Sequence, residues 1–224
     1  LLMSAYKNDD IAHDAGKVFL FLASSLGASA DISVSDADYS FVGGGYQSYI
    51  GMSVSSAGDV DGDGLDDILI GAPNSNVDGM AHLILGASLG INSEIDLSAS
   101  DYQFYGERNT VSYAGNSVSS AGDVDGDGLS DILIGAPYNG DGATGTTHLI
   151  LGASLGVDSD FDLSESDYIF VGLGHSDASG WNVSSAGDVD GDSLDDILVG
   201  AFGYADYTGE AYLFLSANLG KEQE

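Results

Sequence analysis

One segment of this chain is written three times. SVSSAGDVDGDGLDDILIGAP at 53–73 returns as SVSSAGDVDGDGLSDILIGAP at 117–137 and as NVSSAGDVDGDSLDDILVGAF at 182–202. Equivalent aspartates, Asp59, Asp123 and Asp188, are 64 and then 65 residues apart. Two further blocks keep the same period. GMAHLILGASLG at 79–90 recurs at 145–156 and 16–27 and more loosely at 209–220, and DYSFVG at 38–43 recurs at 101–106 and 167–172. Self-similarity on such a period marks a supersecondary unit that buries its apolar surface against copies of itself.

Each unit reads as four short strands. The first is the Val-Ser-Ser-Ala-Gly run, the second the run of Ile68 to Ile70, the third that of His82 to Leu85, and the fourth the alternation of Tyr39 and Phe41. Gly, Asn, Asp and Ser turns separate them, and no window holds helical apolar spacing for about 11 residues. Four strands per repeat predict an all-β propeller with four-stranded antiparallel blades. A parallel β-helix repeats on a much shorter period. The chain is read as one propeller segment, 1–224, of about 3.5 blades. Residues 1–43 form a partial blade lacking its first strand, 44–106 and 107–172 form blades, and 173–220 form a partial blade lacking its last strand. That makes 14 strands, and their unequal numbers lead us to expect a piece of a larger propeller. The rest of the same propeller or another chain would complete the ring.

Charge narrows the function. The sequence has 36 acids against 4 Lys and Arg, a net charge of −32, which repels nucleic acid and anionic membranes. Hydrophobic residues reach 43% and stand in blocks, which argues against disorder. There is no cysteine, and no run approaches the roughly 18 apolar residues of a spanning helix, so no membrane insertion is expected. No catalytic constellation stands out from the repeat, and a non-enzyme is expected. His82 and His148 share a position with Phe19 and Tyr212, the Ser pairs recur in every unit, and Trp181 replaces Met52 and Asn116 as a packing variant.

The chemistry lies in a nine-residue loop between the first and second strands. Its three copies, 59–67, 123–131 and 188–196, hold 14 of the 30 aspartates. Carboxylates at positions 1, 3 and 5, a carbonyl at position 7 and a carboxylate at position 9 give the all-oxygen shell that a hard Ca²⁺ ion takes. The ligands are then Asp59, Asp61, Asp63, Leu65 and Asp67; Asp123, Asp125, Asp127, Leu129 and Asp131; and Asp188, Asp190, Asp192, Leu194 and Asp196. Three calcium sites are expected. An EF-hand is refused, because position 12 is Ile70, Ile134 or Val199 in a strand pattern, where that motif needs a Glu and a helix.

Asp-x-Asp-x-Asp-Gly-x-x-Asp followed by Ile-Leu-Ile-Gly-Ala-Pro resembles the FG-GAP repeat of integrin alpha-subunit propellers and their prokaryotic relatives. Gly71-Ala72-Pro73 and Gly135-Ala136-Pro137 match its second element. Phe41-Val42-Gly43, Phe104-Tyr105-Gly106 and Phe170-Val171-Gly172 match its first with one residue inserted. Ser193 and Phe202 depart from the pattern in the last unit. The resemblance implies an FG-GAP-type propeller with Ca²⁺ in the acidic loops on one face. It implies an extracellular or cell-surface, secreted setting, and a role in cell adhesion through a protein or glycan ligand held on the opposite face. Seven blades of this size need about 450 residues. The opposite face comprises loops 74–78, 138–144 and 203–208 with 44–50, 107–114 and 173–179, which place Tyr46, Tyr49, Tyr113, Tyr138, His175 and Tyr204 as candidate partner-binding residues. The alternatives are a non-catalytic auxiliary propeller of a larger secreted enzyme and a structural surface or filament component.

Overall fold

A computed structural model describes residues 1–27, 31–76, 78–107, 110–156, 158–203 and 208–219. Four sheets follow one another along the chain. The first contains β1 (Leu2–Ala5), β2 (Lys17–Leu20) and β3 (Tyr39–Val42). The second contains β4 (Val54–Gly58), β5 (Asp67–Ala72), β6 (Met80–Ile84) and β8 (Tyr102–Tyr105). The third repeats that order with β9 (Ser117–Gly122), β10 (Asp131–Ala136), β11 (Thr146–Ile150) and β13 (Tyr168–Val171). The fourth has β14 (Ser179–Gly187), β15 (Asp196–Ala201) and β16 (Glu210–Phe214). Neighbours within each of these sets are antiparallel. Among the described residues there is no α-helix, only short 3₁₀ turns. The architecture is an all-β, partial propeller of about 3.5 blades.

Two strands escaped the sequence reading. Glu94–Asp96 (β7) and Asp160–Asp162 (β12) each leave their own unit and pair in parallel with the outer strand of the sheet before, β3 and β8 respectively. The described residues therefore hold 16 strands, two more than the 14 expected. Each stitch carries one apolar residue between acids. Ile95 and Phe161 insert among the core side chains at the neighbouring sheet boundary, and a single apolar residue leaves no period to read.

The core is divided among the boundaries between sheets. Strand β5 is buried along its whole length, with successive side chains facing opposite boundaries. Ile68 and Ile70 pack with Val18, Leu20 and Phe41 of the first sheet, whereas Leu69 packs with Val118, Ile132 and Ile134 of the third. One unit later Leu133 turns to Val183, Ile197 and Val199. A strand covered on both faces reads as an unbroken apolar run, which explains the Ile-Leu-Ile pattern.

Glycine enforces the close approach of neighbouring units. A Cβ on Gly71 would lie 2.0 Å from the Gly115 carbonyl oxygen, and one on Gly135 would lie 2.1 Å from that of Gly180. Along the inner side, β9 lies against both β4 and β14. The Ser53 hydroxyl accepts from Val118 N (3.0 Å), and that of Ser117 accepts from Val183 N (3.1 Å).

Candidate metal centres and the opposite loop face

Each of β4, β9 and β14 ends in a bulge, where Gly58, Gly122 and Gly187 have φ of 75°, 78° and 68°. The bulge swings the chain off the sheet into the acidic loop. The first aspartate then organises the turn. Asp123 Oδ1 accepts from Gly126 N (2.7 Å) and Asp127 N (3.1 Å), and its Oδ2 accepts from Gly128 N (3.0 Å). Asp59 and Asp188 repeat this pattern on 62–64 and 191–193. Ser193, which departs from the glycine of the other copies, adopts the left-handed conformation at φ 75° and keeps the Asp188 bond at 3.0 Å.

Position 9 lies at the base of the loop. Asp67, Asp131 and Asp196 are 1%, 0% and 0% exposed. Asp131 Oδ2 accepts from Val124 N (2.8 Å), and Oδ1 accepts from Gly152 N (2.9 Å) at the end of β11. Asp67 holds Val60 and Gly86 in the same way, and Asp196 holds Val189 and Ser216. Burial pushes the Asp131 carboxyl up to about 6 and raises that of Asp67, against the lowering effect of these N–H donors. Desolvation followed by the Asp192 charge raises Asp190.

Carboxylate oxygens converge at each loop. One oxygen each from Asp59, Asp61 and Asp67 lies within 4.8 Å of the others, and the same holds for Asp123, Asp125 and Asp127 and for Asp188, Asp190 and Asp196. Asp63, Asp127 and Asp192 also accept from the N–H groups of Leu65, Leu129 and Leu194 at 2.8–2.9 Å. No basic side chain pairs with any of these carboxylates among the described residues. Clustered oxygen donors with uncompensated negative charge fit a hard divalent cation. A fourth group, Asp9, His13 and Asp14, meets the same distance limit in the loop between β1 and β2.

The other ends of the strands hold a cleft. It has a volume of about 640 Å³ and is lined by Tyr6, Tyr49, Tyr113, Tyr138 and Trp181, with Met52, Pro73 and Asn116 between them. The rings form a broken chain: Tyr6 to Tyr49 (6.1 Å between centroids), then Tyr113 to Tyr138 (5.1 Å) and Tyr138 to Trp181 (6.1 Å). Three of the six candidate partner-binding residues, Tyr49, Tyr113 and Tyr138, are therefore brought together. Tyr46 stands apart against His13 at 5.5 Å, and His175 lies beside Gly142. Tyr204 is outside the described residues.

Sequence reasoning missed Tyr6, Lys7 and Trp181. Trp181 does pack, 4.3 Å from the Phe202 ring, but it also forms a wall of the cleft. The signal was its alignment with Met52 and Asn116. In a ring of repeats, one position per unit faces the same central space, and all three of these residues line the cleft.

Comparison with known sequences matches the FG-GAP repeat to residues 51–84, 114–150 and 179–214. The Phe-x-Gly tripeptides of β3, β8 and β13 lie outside these matches. Integrin alpha-5 of Xenopus laevis is 34% identical over 190 residues, 81% of this chain and 18% of that protein. Integrin alpha-IIb of Homo sapiens is 33% identical over 169 residues, 70% of this chain and 15% of that protein. Integrin alpha-PS2 of Drosophila melanogaster is 31% identical over 164 residues, 69% and 11% respectively. The chain spans less than a fifth of the length of these relatives.

Proposed function

This chain is an FG-GAP repeat protein, integrin alpha-like in sequence, and on that premise we propose that it is a calcium-stabilised, non-catalytic adhesion module working outside the cell. The observation that carries the reading is the division of the molecule between its two ends. One end repeats a single acidic loop three times, and the other end varies from unit to unit and gathers five aromatic rings into a cleft. Scaffold at one end and recognition at the other is how a fixed fold acquires a specific partner.

Calcium would be held by the aspartates of each loop, in which positions 1 and 3 converge with position 9 in the first and third copies and with position 5 in the second. When bound, it supplies positive charge that cancels their mutual repulsion. The chain's own contribution is orientation. Backbone N–H groups aim the first carboxylate, and the base aspartate ties the loop to the end of the third strand of its sheet. An extracellular setting follows from the proposed ion, since loops of this kind need the higher calcium found there.

We also propose that a further sheet, from the same protein or from another chain, covers the outer face of the fourth sheet. Leu69 and Leu133 are 0% exposed, whereas Leu198 at the same repeat position is 39% exposed; Leu83 and Leu149 are 0% exposed, whereas Leu213 is 46% exposed.

Attachment of cells to a surface coated with the protein tests the adhesion reading. Attachment that requires calcium and is lost in a Tyr49→Ser, Tyr113→Ser, Tyr138→Ser variant of unchanged melting temperature supports it. Attachment indifferent to both overturns it.

A further inference from the structure

The aromatic cleft differs chemically from the rest of this acidic molecule. None of the eleven described residues that line it is Asp or Glu, in a chain that has 36 of them, while Lys7, one of only 4 Lys and Arg residues, stands at its rim. The Lys7 ammonium lies 5.6 Å from the centre of the Tyr6 ring. Of the two lysines among the described residues, Lys17 is held by Glu94 (3.1 Å) and Asp10 (3.7 Å), and Lys7 makes no ion pair among those residues.

The cleft tyrosines also differ from Tyr39 and Tyr102 of the sheets. Tyr39 and Tyr102 donate their hydroxyls to the Gly90 and Gly156 carbonyls, whereas those of Tyr6, Tyr49, Tyr113 and Tyr138 bond to no protein group among the described residues. Tyr49 and Tyr113 moreover sit in left-handed backbone, at φ 54° and 55°. A bulky residue is strained there and a glycine is not, so backbone geometry alone does not account for these rings.

We propose that this cleft binds an acidic oligosaccharide, with sugar rings packed on the Tyr113, Tyr138 and Trp181 side chains and a carboxylate paired with Lys7. The inference rests on the reading of this end of the molecule as the recognition face and names its ligand. The apolar faces of pyranose rings pack on aromatic rings, and their hydroxyls meet the phenol groups left without partners. The volume falls within the ~300–1,000 Å³ of ligand sites. Repulsion from the distant acidic loops is screened over about 8 Å at physiological salt, and Lys7 is the one charged side chain among the described residues that line the cleft.

The test is calorimetric titration of the calcium-loaded protein, at fixed free calcium and physiological salt, with a hexuronic acid hexamer and with the methyl ester of the same hexamer. The acid should bind about fivefold more tightly than the ester, the strength of one exposed ion pair. Lys7→Gln should abolish that preference by weakening acid binding alone. Tyr113→Gly should weaken both ligands by at least about tenfold without lowering the melting temperature, because it removes the ring and relieves the backbone together. Equal binding of acid and ester, a preference that survives Lys7→Gln, or binding of neither ligand overturns the proposal. Cell attachment then separates it from the reading beneath it. If attachment is lost in Tyr113→Gly while the acid preference is absent, adhesion stands and the acidic ligand falls. If attachment is unaffected by Tyr113→Gly, the recognition face itself is wrong and both fall.

Discussion

Asp131 holds two backbone N–H groups from the base of its loop, so Asp131→Ala leaves two donors buried without acceptors. At about 1–3 kcal/mol for each, the loss in calcium should be roughly 2–6 kcal/mol by urea unfolding. Position 8 separates cases that the sequence presents as equal. Asp195 Oδ2 accepts from Asp123 N across a sheet boundary (3.0 Å), whereas Asp66 is exposed. Asp195→Ala should cost about 1 kcal/mol and Asp66→Ala less than about 0.5; equal costs would refute this difference. The buried imidazoles titrate in the opposite sense to a helpful charge. Burial pushes His82 and His148 down to about 4, below the ~6.5 of an unfolded chain. As pH falls from 6.5 to 4 the unfolded state takes up a proton that the folded state refuses, so stability present above 6.5 is lost on the way down, by roughly 3 kcal/mol per histidine. His82→Phe, which copies the residue at Phe19, should therefore gain about 3 kcal/mol on the parent across that window, read as the difference between two urea series. A constant difference would place His82 in contact with water. The acidic loop was legible as a spacing, because nine residues are local, but the structure clusters three of the four expected carboxylates in each copy and leaves Asp63, Asp131 and Asp192 outside those groups. Trp181 was not legible, because its value depends on which rings the fold sets beside it.

At the level of the strand, register and approach decide what a substitution costs. Gly71→Ala places a methyl group 2.0 Å from the Gly115 carbonyl oxygen, and backbone cannot step aside as a side chain can. We expect a loss of about 3 kcal/mol or more, in line with overpacking at a rigid contact, and a melting temperature within a degree or two of the parent would refute the contact. The four sheets were legible because both-face burial writes apolar runs into each second strand. The parallel stitches β7 and β12 were not, because pairing through a three-residue strand is decided by the neighbouring sheet. Phe161 shows that they matter: its ring lies 5.6 Å from Phe104 within the boundary between the second and third sheets. Phe161→Ala should cost about 2–3 kcal/mol, while a change below 0.5 would reduce β12 to a surface loop.

For the whole molecule the decisive balance is between its charge and its ions. Three loops each place three carboxylate oxygens within 4.8 Å of one another. At that separation two unit charges repel by about 1 kcal/mol in water and by about 3–4 at an effective dielectric of 20. Three pairs per loop therefore oppose folding by roughly 3 kcal/mol even with full solvent screening. The three N–H groups that cradle each of Asp59, Asp123 and Asp188 offset a similar amount at about 1 kcal/mol each, which leaves the ion-free loop near balance. Calcium then tips it. An ion at a hundredfold excess over Kd adds about 2.7 kcal/mol per site, or about 8 for three sites, against the ~5–15 kcal/mol of an ordinary domain. No disulfide is available to replace that contribution, and three ions reduce the net charge only from −32 to about −26. Chelation should lower the melting temperature by tens of degrees, and Mg²⁺ should restore it poorly because it keeps its waters. Equilibrium dialysis should count three ions on the parent and two on Asp123→Ala. A melting curve indifferent to chelator would mean that the N–H cradle alone outweighs the repulsion, and that the loops are turns rather than ion sites.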